Sequence, residues 1–234
     1  MSRIQEAKKR AAIASVQLVE SGHVVGLGTG STANYMIEEL GRRIREERVR
    51  IVGVPTSIQT AMMAEKHGIP LMTLDEYPHL DIAIDGADQV DSNLNLIKGM
   101  GGALTREKIV DGAAETLVVI VDESKVTSFL GSNQVVPVEV IPFAITPVLD
   151  EFATLGGTAS VRTLNDCRFI TDNGNIIIDV DFGPISDAKQ LEKDIKMISG
   201  VVDSGLFVGM AKIAFIGSGS GVKKMEKKGV EHRE

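Results

Sequence analysis

Apolar positions at Ile4, Ala7, Ala11, Ala14 and Leu18 recur at near-helical spacing and predict an opening helix over residues 4–20. A compact apolar run at 23–27 follows Gly22 and reads as a buried strand. Gly28-Thr29-Gly30-Ser31-Thr32 then leads into a helix predicted to run through Leu40, and residues 49–54 form a second strand. Thr56 or Ser57 caps a helix that ends near Lys66. Residues 80–84 form a strand ending at Asp85, 103–114 a helix, and 116–121 another strand. Strand and helix therefore alternate over residues 1–121, the pattern of a mostly parallel sheet with helices on both faces. Such sheets bind ligands beyond the carboxyl ends of their strands. Three segments lie at such ends: 28–32, 85–88 and 122–125.

The pattern changes near residue 131. Residues 134–140 read as a strand near an edge because proline interrupts them. A helix is predicted at 146–155, strands at 158–163, 167–171 and 175–180, and a hairpin turn at Asp172-Asn173-Gly174. A further helix spans 187–198, capped by Ser186, before strands at 201–208 and 212–216. Two strand pairings around two helices predict a small α+β unit of the ferredoxin-like kind. The strongly charged tail, residues 223–234, is expected to fray.

Composition narrows the picture. With no Trp and 4 % aromatics, aliphatic packing must dominate. A net charge of -7 argues against nucleic-acid binding, and it requires any anionic ligand to be met by local cations or helix N-termini. The single cysteine, Cys167, allows neither an internal disulfide nor a thiolate metal cage. The N-terminal segment lacks the apolar core of a signal peptide, and no run approaches the roughly 20 apolar residues of a membrane helix. A cytoplasmic protein without a membrane partner is expected.

Four segments are candidates for chemistry. Thr29, Gly30, Ser31 and Thr32 stand between strand and helix, where N–H groups and the helix dipole attract anions. The segment is no P-loop, and Ser31 breaks a dinucleotide fingerprint, so a phosphate monoester suits it better. A capped tight turn is the plainer alternative. Asp85-Gly86-Ala87-Asp88 sets two carboxylates at a strand end, where unequal burial can separate their acidities; an Asx turn is the alternative. With no His at ligand spacing, no metal is expected there. The loop Lys98-Gly99-Met100-Gly101-Gly102 brings a cation and free N–H groups to a helix that carries Glu107 one turn in. By itself Glu107 reads as dipole compensation. Lys125 follows the strand ending at Asp122.

Taken together these segments resemble the signature set of ribose-5-phosphate isomerase A: Gly28 to Thr32, Asp85 to Gln89, Lys98 to Gly101 with Leu104 to Lys108, and Ser124-Lys125. Pro137 to Pro142, Thr171 to Asn175 and Gly205-Leu206-Phe207 extend the likeness over nearly the whole chain. Gln89 and Met100 depart from the family's glutamate and glycine. The resemblance implies a Rossmann-like α/β domain, residues 1–131 plus 208–234, with a smaller α+β lid inserted at 132–207. It also implies interconversion of ribose 5-phosphate and ribulose 5-phosphate without cofactor or metal, in a homodimer or homotetramer. Glu107 would be the general base and Asp85 the proton shuttle at the sugar oxygens, with Asp88 and Lys98 stabilising charge. Substrate would also meet Gly86, Ala87, Gly99, Met100, Gly101, Lys125 and Lys8, whose neighbour Lys9 competes for the same place in the alignment. Met100 is expected at negative φ, its side chain packed on apolar neighbours away from the sugar and its N–H free for an oxygen. A glucosamine-6-phosphate deaminase, a CoA transferase, a sugar-responsive effector domain and a nicotinamide-dependent oxidoreductase are the rival readings.

Overall fold

The computed structural model describes residues 2–227. Helix α1 (Arg3–Val16) opens with a capping box between Ser2 and Gln5. It stops before residue 20 because the Arg43 guanidinium, from the next helix, takes the carbonyls of Val16 and Val19. Strand β1 (Val24–Leu27) feeds α2 (Ser31–Glu47), which runs past Leu40 on ion pairs of Arg42 and Arg43 with Glu39, Glu46 and Glu47. Next come β2 (Val52–Pro55), α3 (Ile58–Lys66) capped by Ser57, and β3 (Leu80–Gly86). The short pair β4 (Gln89–Val90) and β5 (Leu96–Ile97), which the pattern missed, precedes α4 (Leu104–Ala113) and β6 (Ala114–Asp122).

The second half holds β7 (Val136–Val140), α5 (Ile145–Thr154), β8 (Thr158–Val161), β9 (Thr163–Leu164), β10 (Cys167–Arg168) and β11 (Ile176–Asp181). It continues with α6 (Ala188–Lys196), β12 (Val201–Ser204), β13 (Leu206–Phe207), β14 (Ala211–Gly217) and β15 (Val222–Glu226). Asp187, not Ser186, caps α6, its carboxylate accepting from the Gln190 N–H. The expected tail is in part a strand: β15 pairs antiparallel with β14 through residue 226, and residues 228–234 lie outside the described residues.

Six strands form the main sheet in the order β15-β14-β6-β3-β1-β2, parallel except for β15. Both faces are buried. In β6, Val118 and Ile120 join the core under α1 and α2, while Leu117, Val119 and Val121 join the one containing Leu96 and Phe207. The second sheet, β12-β7-β11-β8, is antiparallel and carries α5 and α6, so the run β7-α5-β8-β11-α6-β12 is a ferredoxin-like βαββαβ unit. The predicted continuous strand 201–208 is broken at Gly205. A Cβ there would sit 2.2 Å from the Lys98 carbonyl oxygen, so the chain leaves one sheet and joins β5 with its next two residues.

Candidate active site

The carboxyl ends of β1, β3 and β6 open onto one cleft of about 120 Å³. Its floor depends on Gly28, where a Cβ would lie 2.1 Å from Asp85 Oδ1. That closeness lets the Thr29 and Gly86 N–H groups both donate to Asp85 Oδ1, at 3.0 and 2.6 Å. Asp85 Oδ2 pairs with the Lys98 ammonium at 2.9 Å, and Lys98 also donates to the Gly86 carbonyl. Glu107, facing in from the first turn of α4, brings Oε2 within 3.7 Å of the same ammonium. All three side chains are buried, yet Lys98 and Glu107 form part of the cleft wall.

Burial governs the acidities. It pushes the Glu107 carboxyl up to about 8, assisted by repulsion from Asp85 and Asp88 and opposed by Lys98. Burial likewise raises Asp85 against the pull of Lys98 and its two N–H donors. It disfavours the Lys98 ammonium as well, but the facing carboxylates of Asp85, Glu107 and Asp111 outweigh it and raise that pKa.

Across the cleft, Lys8 donates to Ser31 Oγ at 2.9 Å, and Lys125 reaches in from a single 3₁₀ turn after β6. The first turn of α2 starts at Gly30 with no side-chain cap, which leaves its N–H groups available to an anion. Lys9 lies on the other side of α1, so of the two lysines it is Lys8 that lines the cleft.

Of the residues singled out from sequence, Lys8, Thr29, Gly30, Ser31, Thr32, Gly86, Ala87, Asp88, Lys98, Gly99, Gly101, Glu107 and Lys125 share this cleft. Two do not line it. Asp85 lies behind Lys98 and Thr29, and Met100 stands outside, 45 % exposed. Met100 escapes positive φ because Gly99 and Gly102 carry the left-handed turns beside it. Its side chain lies against the Arg162 guanidinium instead of on apolar neighbours. Its N–H is not free either, since it donates to Asp88 Oδ2 at 3.0 Å. Thr29 reaches the cleft, but its hydroxyl is held by those of Thr56, Ser57 and Thr60.

Sequence reasoning missed two buried acids. Asp122 lines the cleft from the end of β6, a strand-end position like that of Asp85, which was the available signal. Asp111, one turn after Glu107 on α4, is buried with both carboxylate oxygens unpartnered. Gln89 does structural work. Its amide donates to Asn133 and accepts from the Gly131 N–H, fixing the loop before β7.

Among the described residues no three His, Cys, Asp or Glu side chains converge as a metal site, and no helix is long and apolar enough to cross a membrane.

Comparison with known proteins places the whole chain in a family. A family model described as ribose 5-phosphate isomerase A (phosphoriboisomerase A) matches residues 52–221. The ribose-5-phosphate isomerase A of Thermosynechococcus vestitus is 51 % identical over 217 residues, 92 % of each chain. A structure of ribose 5-phosphate isomerase A from Methanocaldococcus jannaschii superposes with a TM-score of 0.92 at 49 % identity, covering 95 % of this chain and 99 % of that one. A D-ribose-5-phosphate isomerase in complex with phospho-erythronic acid superposes with a TM-score of 0.94 at 44 % identity, over 97 % of this chain and 100 % of the other. On sequence and fold alike, this chain belongs to the ribose 5-phosphate isomerase A family.

Proposed function

We propose that the chain interconverts ribose 5-phosphate and ribulose 5-phosphate, an aldose–ketose isomerisation of the non-oxidative pentose phosphate pathway. The observation that carries this reading is one carboxylate, Glu107, poised 3.7 Å from a buried ammonium in a cleft that Lys8 and Lys125 also line. The phosphorylated sugar acid seen on a relative supports the same substrate class.

In the open-chain aldose, Glu107 takes the proton from C2. The electron pair moves to form the C1–C2 double bond, and the negative charge comes to rest on O1. Lys98 stabilises that oxyanion, with Asp88 held beside the sugar hydroxyls by the Met100 N–H. A proton passes from O2 to O1 through the Lys98–Asp85 pair, in place of Asp85 alone, because Asp85 sits behind the lysine. Glu107 then returns its proton to C1, which leaves the ketone at C2. No electron leaves the substrate, so the chemistry calls on no redox group, and the ammonium serves where a metal would otherwise hold the oxyanion. The α2 N-terminus, Ser31, Thr32, Lys8 and Lys125 take the phosphate.

The division into residues 1–131 plus 208–234 and an inserted 132–207 is likewise our reading. The membership of the six-stranded and four-stranded sheets supports it, apart from Leu206–Phe207, which pair with β5. We also read the chain as a cytoplasmic homodimer or homotetramer; the exposed apolar side chains Ile141, Phe143 and Met197 of the small unit suit self-association. The decisive experiment is a coupled assay for ribulose 5-phosphate formed from ribose 5-phosphate in the presence of a chelator. Sustained turnover is expected. No ketose would overturn the activity, and turnover that vanishes until a divalent ion returns would overturn the metal-free route.

A further inference from the structure

Phe207 is fully buried and carries two cations on one ring. The Lys98 ammonium stands over it at 5.3 Å from the centroid and the Lys108 ammonium at 4.9 Å. The strand pairing fixes the ring. Phe207 sits opposite Leu96 and Leu206 opposite Ile97, while the Lys98 N–H donates to the Gly205 carbonyl at 2.8 Å. Lys108 is held in turn by Asp203 at 2.7 Å and Glu192 at 3.2 Å, away from the cleft. A face-on aromatic ring attracts an ammonium within about 6 Å, and more strongly when water is excluded.

The Lys98 ammonium is held by Asp85, by the Gly86 carbonyl to which it donates, and by the face of the Phe207 ring. It is paired with Asp85 at 2.9 Å but stays 3.7 Å from Glu107, although Glu107 Oε2 has no other partner. We propose that Phe207 is a positioning residue for the isomerisation. Together with Asp85 and the Gly86 carbonyl, its ring face keeps the Lys98 ammonium 3.7 Å from Glu107, near enough to steady charge on the sugar and short of a closer ion pair with the base. This rests on the roles read above for Lys98 and Glu107. With the ring's share of the hold removed the ammonium moves closer to Glu107, and the tighter ion pair weakens the base. Packing alone would ask only for an apolar side chain of similar size.

Site-specific replacement of Phe207 by 4-fluoro-, 3,5-difluoro- and 3,4,5-trifluorophenylalanine separates the two roles. Fluorination drains the negative ring face with little change in shape. The expected result is a stepwise fall in kcat, roughly 10-fold at three fluorines, with KM within about 2-fold. The acid limb of kcat/KM should move to lower pH as Lys98 nears Glu107, while the charges of Asp85, Asp88 and Asp111 around that base are unchanged. Phe207→Leu, apolar but ringless, should lose as much kcat as the trifluoro variant. A flat kcat across the fluorinated series, or wild-type kcat in Phe207→Leu, overturns the proposal. Lys98→Met is assayed beside them. If it turns over like wild type, the role of Lys98 itself is wrong, whereas an inactive Lys98→Met with a flat series removes Phe207 alone.

Discussion

Asp85, Glu107 and Asp111 are buried around one ammonium at the edge of the cleft, so these carboxyls hold protons that free ones release. Glu107 acts as a base only when ionised, and it is pushed up to about 8. The expected kcat/KM therefore climbs through the neutral range and levels above about pH 8, as a pH profile of the purified enzyme checks. Glu107→Gln should lose about 10²–10⁴-fold in kcat with little change in KM. The same variant tests stability. The folded pKa lies above the ordinary 4.5, so the stability tied to that proton is full below 4.5 and is lost as pH rises through about 8. Melting curves should show Glu107→Gln above wild type at alkaline pH, with the gap closing in acid. Met100 offers a contrasting case. Its side chain touches Arg162 outside the cleft, so Met100→Gly should keep kcat and KM near wild type. It should lower stability by about 0.4–1 kcal/mol through chain entropy, measurable by urea unfolding.

Helix α4 presents three consecutive residues to three places. Glu107 faces the cleft, Lys108 pairs with Asp203 and Glu192 on β12 and α6, and Arg106 donates to Asn173 Oδ1 and the Asp172 carbonyl. The turn at 171–175 is thus a strut between the small sheet and the site. Its Asp172 also accepts from the Ile58 N–H, in the first turn of α3. What shapes the turn is Glu139, buried in β7, whose carboxylate accepts from Thr171 Oγ1 at 2.9 Å, Asn173 Nδ2 at 3.0 Å and Asn175 Nδ2 at 2.8 Å. Glu139→Ala takes the acceptor from all three donors, of which Thr171 is buried, and should cost about 1–3 kcal/mol in urea unfolding. It should also lower kcat, because α4 loses the Arg106 tie.

The whole molecule carries a net charge of -7 and would repel a sugar phosphate at long range. The cations of the cleft and the α2 N-terminus oppose that field locally, and screening weakens them over about 8–10 Å at physiological salt. KM is expected to rise with ionic strength. Lys8→Ala and Lys125→Ala should each raise KM several-fold while Lys9→Ala, on the far side of α1, should not. Steady-state titration at low and high salt reads both effects.

By itself the sequence determined the period of its elements, and with it the parallel sheet and the βαββαβ unit. Both rest on local apolar spacing and on glycine, serine and aspartate at turns. It also marked three strand ends, 28–32, 85–88 and 122–125, where small and charged residues follow apolar runs, whereas Lys98 and Glu107 took their roles from the family resemblance, since Glu107 by itself reads as dipole compensation. Tertiary structure decided the rest, since it depends on partners distant along the chain. Arg43 ends α1 from another helix, and β15 turns a charged tail into an edge strand by pairing with β14. Gly205 splits one expected strand because Lys98 lies against it. The acidity of Glu107 and the neglected Asp111 belong to the same class. A carboxyl's behaviour is set by how much water and which charges surround it, and those surroundings exist only once β3, α4 and the Lys98 loop have closed together.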